Sequence, residues 1–265
     1  MSCATYPQTE SFPSIETLRP YWQFYAEGIE YFNGRLVSPQ IEFYAFRIDL
    51  SKQNIKIVVS AGDQNGNSTR VSSFVRDNNL ALGINALPFD IVSGTEGRSI
   101  RNMGLVISEG RLLSRGNLNY DAIVFYKDGG AAIVSQSSIN SSSIENIHNA
   151  VGGFHKILSG GLPAERTLGS TARHPRSAVG ISAGYLYMVV IDGRRTASIG
   201  ATEYETALLL RSLGASDALN LDGGGSSALA MRDINGNVRT VNTPVHNGIP
   251  GLERAVAGCL GIIYE

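Results

Sequence analysis

The run Asp217-Ala218-Leu219-Asn220-Leu221-Asp222-Gly223-Gly224-Gly225-Ser226-Ser227 sets an apolar, strand-like segment directly before a loop that works against stability. Glycine loses the most backbone entropy on folding, so three in succession cost ~2–3 kcal/mol relative to alanine. A chain keeps such a loop where its backbone must come close to something, and bare N–H groups in it can point at an anion. Asp222 would then stand beside that anion. A tight turn capped by an aspartate is the alternative reading of the same residues.

The neighbouring segments say how this strand is housed. Just upstream, Thr202-Glu203-Tyr204-Glu205 is a capping box, a hydroxyl followed three residues later by a carboxylate. It predicts a helix from Glu203 to Leu213, with Tyr204, Ala207, Leu208 and Arg211 at helical spacing and Gly214 as its stop. Elsewhere strands dominate. Residues 28–32, 41–50, 55–60, 80–86, 178–182, 185–192 and 255–264 are rich in β-branched and aromatic residues, several in strict alternation. Ser108-Glu109-Gly110, Lys127-Asp128-Gly129-Gly130 and Asn235-Gly236-Asn237 each sit between two apolar runs and predict hairpins. Residues 71–78 read as a short helix, residues 62–67 and the Ser-rich 135–143 as loops, and residues 144–150 as another short helix. The balance predicts an α+β fold: a single domain with a large mixed, mostly antiparallel β-sheet core and a few helices. Residues 1–21, with Pro7, Pro13 and Pro20, read as an N-terminal lead segment, and residues 22–265 as the domain.

Composition narrows the function classes. The chain has 265 residues, 43% apolar and 17% charged, which is an ordinary globular balance rather than that of a disordered chain. Its net charge is −1 and no Lys/Arg run exceeds two, so nucleic acid is not an expected partner. No apolar run approaches the ~18–20 residues of a membrane span. Cys259 lies in an apolar stretch and reads as a small buried residue; the four histidines show no metal-ligand spacing. Met1-Ser2-Cys3-Ala4 reads either as the start of an extracytoplasmic lipoprotein anchored through Cys3, its signal removed, or as a plain cytoplasmic N-terminus.

Four further places share the polar, strand-end character of the glycine loop. They are Asn85 at the end of an apolar strand, His174-Pro175-Arg176-Ser177 before a strand, Asp192-Gly193-Arg194 after one, and Glu253-Arg254 before the last. Each has a bland alternative: an Asx turn, a surface arginine, a β-turn and a solvated pair. Together they set Asn, Arg, Asp and Glu around an anion loop. No GxSxG elbow or GxxxxGK[ST] phosphate loop competes. A serine-based triad of Asp222 with His246 is conceivable, with nothing in the sequence to fix the pairing.

Residues 218–227, with Asp192-Gly193-Arg194 and Ser198-Ile199-Gly200 before them, resemble the phosphodiester glycosidase family, which includes the N-acetylglucosamine-1-phosphodiester α-N-acetylglucosaminidases and bacterial relatives. Gly83-Ile84-Asn85-Ala86, His174 to Gly180 and Glu253 to Val256 occur in the family's order, so the resemblance spans roughly residues 28–265. The chain departs from the family at Asn85-Ala86-Leu87-Pro88-Phe89-Asp90, where an aromatic-rich run is usual. The resemblance implies hydrolysis of a sugar-1-phosphodiester, with α-N-acetylglucosamine as one candidate sugar and a phosphosugar polymer of the cell envelope as one candidate substrate.

On that basis Asp222 is the expected catalytic carboxylate, with Asp192 or Glu253 sharing the role. Arg176, Arg254 and the N–H groups of Gly223, Gly224, Gly225 and Ser226 are expected on the phosphate, and Asn85 and Ser227 on the sugar. No metal or other cofactor is demanded; Asp222 and Asp192 are the pair that would hold a hard cation such as Ca²⁺. Two other classes use the same residues: a non-catalytic binding module for phosphosugar polymers, and a phosphoesterase cutting P–O, which normally needs two metal ions on several His and Asp ligands.

Overall fold

In a computed structural model, which describes residues 10–63, 66–90 and 94–265, the strands divide among three main sheets. The largest has nine strands. Its order runs Glu10–Phe12, Ile29–Leu36, Ile41–Asp49, Tyr185–Ile191, Arg176–Ser182, Asp217–Asn220, His155–Ser159 and Leu162–Pro163, with Gln23–Ala26 added on Ile29–Leu36. Every pair is antiparallel except the first, where Glu10–Phe12 runs parallel to Ile29–Leu36. A five-stranded sheet is built from Arg111–Ser114, Val106–Ser108, Ile147–Gly152, Asp121–Tyr126 and Ala131–Ser135. The third, also five-stranded, is Val238–Thr240, Leu229–Arg232, Leu82–Asn85, Cys259–Tyr264 and Ile55–Val59. The fold is thus α+β with mixed, mainly antiparallel sheets.

Burial explains the layering. Along Tyr185–Ile191, Leu186, Met188 and Val190 enter a core shared with the two smaller sheets, while Tyr187, Val189 and Ile191 face the helix Glu203–Leu213. A strand covered on both faces is apolar throughout rather than alternating, which is how this segment reads in the sequence. The central core brings Ile48, Val179 and Leu219 of the large sheet against Ile84 and Leu260 of the third and Val106, Ile123 and Val151 of the second. Val71–Asp77 packs Phe74 and Val75 on the outer face of the third sheet. Among the described residues no helix is long and apolar enough to cross a membrane.

The helix Glu203–Leu213 has the expected capping box on Thr202 and ends at Gly214 in the left-handed region, φ 114°. Its buried residues are Thr206, Ala207, Leu208, Leu209, Leu210 and Leu213, so Ala207 and Leu208 are buried as their spacing predicts while Arg211 points outward. Residues 147–150, expected as part of a helix, belong to a strand instead, because Ile147–Gly152 fills the gap between Asp121–Tyr126 and Val106–Ser108. Cys259 is buried and free. The packed chain also starts upstream of residue 22: Glu10–Phe12 joins the large sheet, and Ile15 and Leu18 enter its helix-covered core. Cys3, and Gln64 and Asn65 of the loop at 62–67, lie outside the described residues.

Candidate active site

The glycine loop is the crossover between two sheets. It leaves the strand Asp217–Asn220 of the large sheet, makes a single 3₁₀ turn over Gly224–Ser226 and enters Leu229–Arg232 of the third. Asn85, at the end of the neighbouring strand of that third sheet, ties the crossover at both ends. Its Nδ2 donates to the Asp222 carbonyl at 2.6 Å, and its Oδ1 accepts from Ser177 Oγ at 2.6 Å and from the Ala228 N–H at 3.1 Å. The side chain is wholly buried and its acceptor is fully engaged by protein. Asn85 therefore positions the loop; of its hydrogen-bonding groups only the second Nδ2 hydrogen is left for the contact with the sugar expected of it.

Pro175 is the second anchor. Its carbonyl accepts the Gly224 N–H at 2.8 Å. A Cβ on Gly223 would lie 3.0 Å from that carbonyl oxygen, and one on Gly193 would lie 2.7 Å from the Pro175 nitrogen. Side chains at either position would drive the three segments apart. The glycines of Asp192-Gly193-Arg194 and of the crossover thus answer to the same close approach, on opposite sides of one proline.

Of the four N–H groups expected on an anion, those of Gly223, Gly224 and Ser226 are engaged within the protein, and only that of Gly225 makes no hydrogen bond among the described residues. Besides Gly224, Ser226 donates to the Gly223 carbonyl at 3.2 Å and Ser227 to the Gly224 carbonyl at 3.3 Å, which closes the 3₁₀ turn. The Gly223 N–H donates to the Asp222 carboxylate. What surrounds Asp222 is mainly side chains. Ser226 hydrogen-bonds to it, and Arg254 attracts it while donating from Nη1 to Ser226 Oγ at 3.2 Å. Burial pushes the Asp222 pKa up to about 6, and Ser226, Arg254 and the Gly223 N–H hold it from rising further. Arg254 lies over the bare Cα of Gly225, where a Cβ would come within 2.7 Å of its Cζ.

Arg254 Nε donates to His246 Nδ1 at 3.0 Å. Nδ1 must then be the unprotonated nitrogen, leaving the proton on Nε2. Burial, Arg254 and Arg194 all hold the imidazole below its usual pKa, so it is neutral. His246 thus orients the arginine rather than joining Asp222 in a triad. In the sequence His246 stands out only as a triad candidate. Its signal would have been the short hairpin Val245–His246/Ile249–Pro250, which carries it back to the 3₁₀ turn.

The other two expected catalytic carboxylates are placed differently. Asp192, only 1% exposed, accepts from Asn242 Nδ2 and the Thr243 N–H at 3.1 Å and pairs with Arg195 at 2.7 Å. Burial again pushes its pKa up to about 6, against Asn242, Arg195 and the Thr243 N–H. It reaches the crossover through Asn242, whose Nδ2 also donates to the Ser227 carbonyl at 3.1 Å. Glu253 turns to the helix Val71–Asp77, where it accepts from the Ser72 N–H at 3.0 Å and from Ser72 Oγ at 2.5 Å. Arg70, at the N-cap, supplies no side-chain cap, so Glu253 performs that task from 181 residues away. Burial raises its pKa, opposed chiefly by Ser72.

Arg176 lies at the start of its strand with its guanidinium committed elsewhere: to the Ala201 carbonyl at 3.0 Å, the Ala172 carbonyl at 3.2 Å and, at 3.6 Å, the Glu203 carboxylate. Its backbone borders Gly223, but its charge braces the start of the helix Glu203–Leu213. Two buried polar atoms on the crossover, Asn220 Oδ1 and Ser227 Oγ, have no hydrogen-bond partner among the described residues. Such atoms cost ~1–3 kcal/mol each when left unpaired, so they mark places where a polar partner is missing. Among the described residues no three His, Cys, Asp or Glu side chains converge as metal ligands would; Asp222 and Asp192 are each engaged by separate partners.

The sequence profile described as phosphodiester glycosidase matches residues 78–263. An uncharacterised SPbeta prophage-derived protein of Bacillus subtilis strain 168, YomE, is 30% identical over 173 residues, which is 61% of this chain but only 26% of that protein. Among solved structures, a hypothetical protein from Synechocystis superposes with a TM-score of 0.68 at 16% identity, covering 94% of this chain and 64% of its own. The catalytic domain of zebrafish N-acetylglucosamine-1-phosphodiester α-N-acetylglucosaminidase, auto-inhibited by its pro-peptide, gives 0.66 at 19% identity, with 94% and 89% covered. At these identities the superpositions speak to fold alone.

Proposed function

The chain belongs to the phosphodiester glycosidase family, and from that premise we propose that it hydrolyses the glycosidic C1–O bond of a sugar-1-phosphodiester, with an α-N-acetylglucosamine-1-phosphodiester as the first substrate to try. The observation that carries this reading is the Asp222–Ser226–Arg254 arrangement at the end of a buried strand. A carboxylate with a pKa near 6 is largely ionised at neutral pH yet still basic enough to take a proton from water.

The bond between C1 and the ester oxygen breaks with its electron pair leaving on the phosphate, so a phosphomonoester departs and water supplies the new oxygen on C1. A phosphate ester is already an acidic leaving group, so the separate general acid of ordinary glycosidases is not required. The need is for positive charge where the departing phosphate gathers negative charge, and Arg254 stands beside Asp222 to supply it. Asp222 stabilises the oxocarbenium-like sugar or deprotonates the attacking water. Asp192 and Asn85 hold the crossover in place, and the unpartnered Asn220 Oδ1 and Ser227 Oγ are the candidate sugar contacts.

Replacing Asp222 by Asn while the melting temperature is preserved is the direct test. Loss of a base typically lowers turnover ~10²–10⁴-fold. Retention of more than about a tenth of the wild-type rate would take Asp222 out of the chemistry.

A further inference from the structure

Arg194 holds a position that its own backbone disfavours. It lies in the left-handed region at φ 59°, which an L-residue other than glycine, asparagine or aspartate seldom adopts. The residue is exposed, and among the described residues its guanidinium makes no hydrogen bond to protein and no ion pair. It does have a fixed neighbour: a Cβ on Gly224 would lie 2.9 Å from Arg194 Nη2. The next residue, Gly225, has Arg254 over its bare Cα in the same way. Two consecutive glycines therefore each carry a guanidinium.

Two like charges so placed repel one another, and Arg194 does disfavour the charge on Arg254. It also disfavours protonation of His246 and His174, so all three lie within its field. The nearest opposing group is Asp222, which attracts Arg254 from beyond salt-bridge distance; no carboxylate of the described residues pairs with either arginine. Of the N–H groups of Gly223 to Ser226, only that of Gly225 makes no hydrogen bond among the described residues, so the two guanidinia are the main donors offered there. A pair of forked donors with surplus positive charge, open to solvent on the Arg194 side, matches a singly or doubly charged tetrahedral oxyanion.

We propose that Arg194 and Arg254 together form the phosphoryl subsite, and that Arg194 is the residue by which the site distinguishes a phosphodiester from an uncharged glycoside. The identity of the group attached to the phosphoryl rests on the sugar-phosphodiester reading above; the anion subsite does not. Arg254, half-buried and tied to His246 and Ser226, is the fixed half. Arg194, without a hydrogen-bond or ion-pair partner among the described residues, is the half that meets the incoming charge.

The probe is inorganic phosphate, titrated into the full chain and followed by calorimetry, with Arg194→Met, which keeps the aliphatic stem, and Arg194→Lys, which keeps the charge but not the fork. Arg194→Met should weaken phosphate binding on the order of 10- to 100-fold, and Arg194→Lys by less, with melting temperatures unchanged or raised. In parallel, kcat/KM should fall in Arg194→Met by a larger factor for the α-N-acetylglucosamine-1-phosphodiester than for the uncharged 4-nitrophenyl α-N-acetylglucosaminide. Phosphate binding equal in wild type and Arg194→Met overturns the proposal, as does a wild type that binds no phosphate in the millimolar range. Equal losses on charged and uncharged substrates also overturn it, since a merely structural role predicts that result. Phosphate binding that depends on Arg194, in a protein that turns over no sugar phosphodiester, upholds the subsite and removes the sugar-phosphodiester reading instead.

Discussion

Replacing Asn85 by alanine should damage stability before it damages chemistry. Three hydrogen bonds disappear, and three partners stay buried behind them: the Asp222 carbonyl, the Ser177 hydroxyl and the Ala228 N–H. An unpaired buried polar group costs ~1–3 kcal/mol; the Ser177 hydroxyl can rotate toward another acceptor, whereas the two backbone groups cannot, so the loss is about 3–5 kcal/mol. For a domain of this size 1 kcal/mol corresponds to about 2–4 °C, so the melting temperature should drop by roughly 6–20 °C. Denaturant unfolding and a thermal melt give the loss, and kcat/KM measured well below the new melting point gives the chemistry of the molecules still folded. Those molecules should retain much of their affinity for substrate, because Asn85 holds the loop rather than the ligand. A variant that melts within about 2 °C of wild type but no longer turns over substrate would refute the reasoning and return Asn85 to the sugar.

Gly225→Ala should separate fold from function in the opposite way. The backbone there is not in the left-handed region, so the change costs no strain and gains ~0.4–1 kcal/mol by restricting the unfolded chain, but the new Cβ displaces the Arg254 guanidinium from Ser226 and His246. Stability near wild type with kcat/KM lowered at least ~10-fold is expected, since a charge-assisted hydrogen bond carries ~1.5–3 kcal/mol; unchanged kinetics would mean that Arg254 is idle. Asp192 makes a pH prediction. Its native pKa of about 6 lies above its unfolded value of about 3.9, so the native state binds the proton more tightly, and stability present below pH ~4 is lost as the pH rises through ~6. The loss is at most about 3 kcal/mol at 1.36 kcal/mol per unit, and Asp192→Asn should flatten that decline in urea unfolding between pH 4 and 7; an identical pH profile in the variant would rule the carboxylate out as its source.

Much of this fold is legible because local chemistry and tertiary packing agree. The capping box at Thr202, the stop at Gly214 and the hairpins at 108–110, 127–130 and 235–237 all stand where short-range rules put them. Where the rules fail, a distant partner has intervened. Ile147–Gly152 is a strand because two others flank it, and Ile15 and Leu18 are core because a sheet and a helix meet over them. The same division runs through the site. Asp222 and Arg254 come together, Asp222 from just after the strand Asp217–Asn220 and Arg254 from the irregular segment that leads to Cys259–Tyr264. Glu253 looks like an equal partner in the sequence, being next to Arg254, yet adjacent residues on an extended chain point to opposite sides. Glu253 therefore caps a helix that begins at Val71 while Arg254 faces the glycines. In the sequence, Arg194 is the third residue of an Asp-Gly-Arg turn, with nothing local to distinguish it from a surface arginine. Only the positive φ and the bare Gly224 beneath its guanidinium set it apart.

Hydrolysis of an α-N-acetylglucosamine-1-phosphodiester in ¹⁸O-labelled water, with mass analysis of both products, tests most directly what this site does. Cleavage at C1–O puts the label in the released N-acetylglucosamine and leaves the phosphomonoester unlabelled, as the arrangement of Asp222 and Arg254 predicts. Label in the phosphate would mean attack at phosphorus and would contradict the glycosidase reading. Tight binding of the phosphodiester with no turnover would contradict it too, and would make the glycine crossover part of a module that binds without cutting.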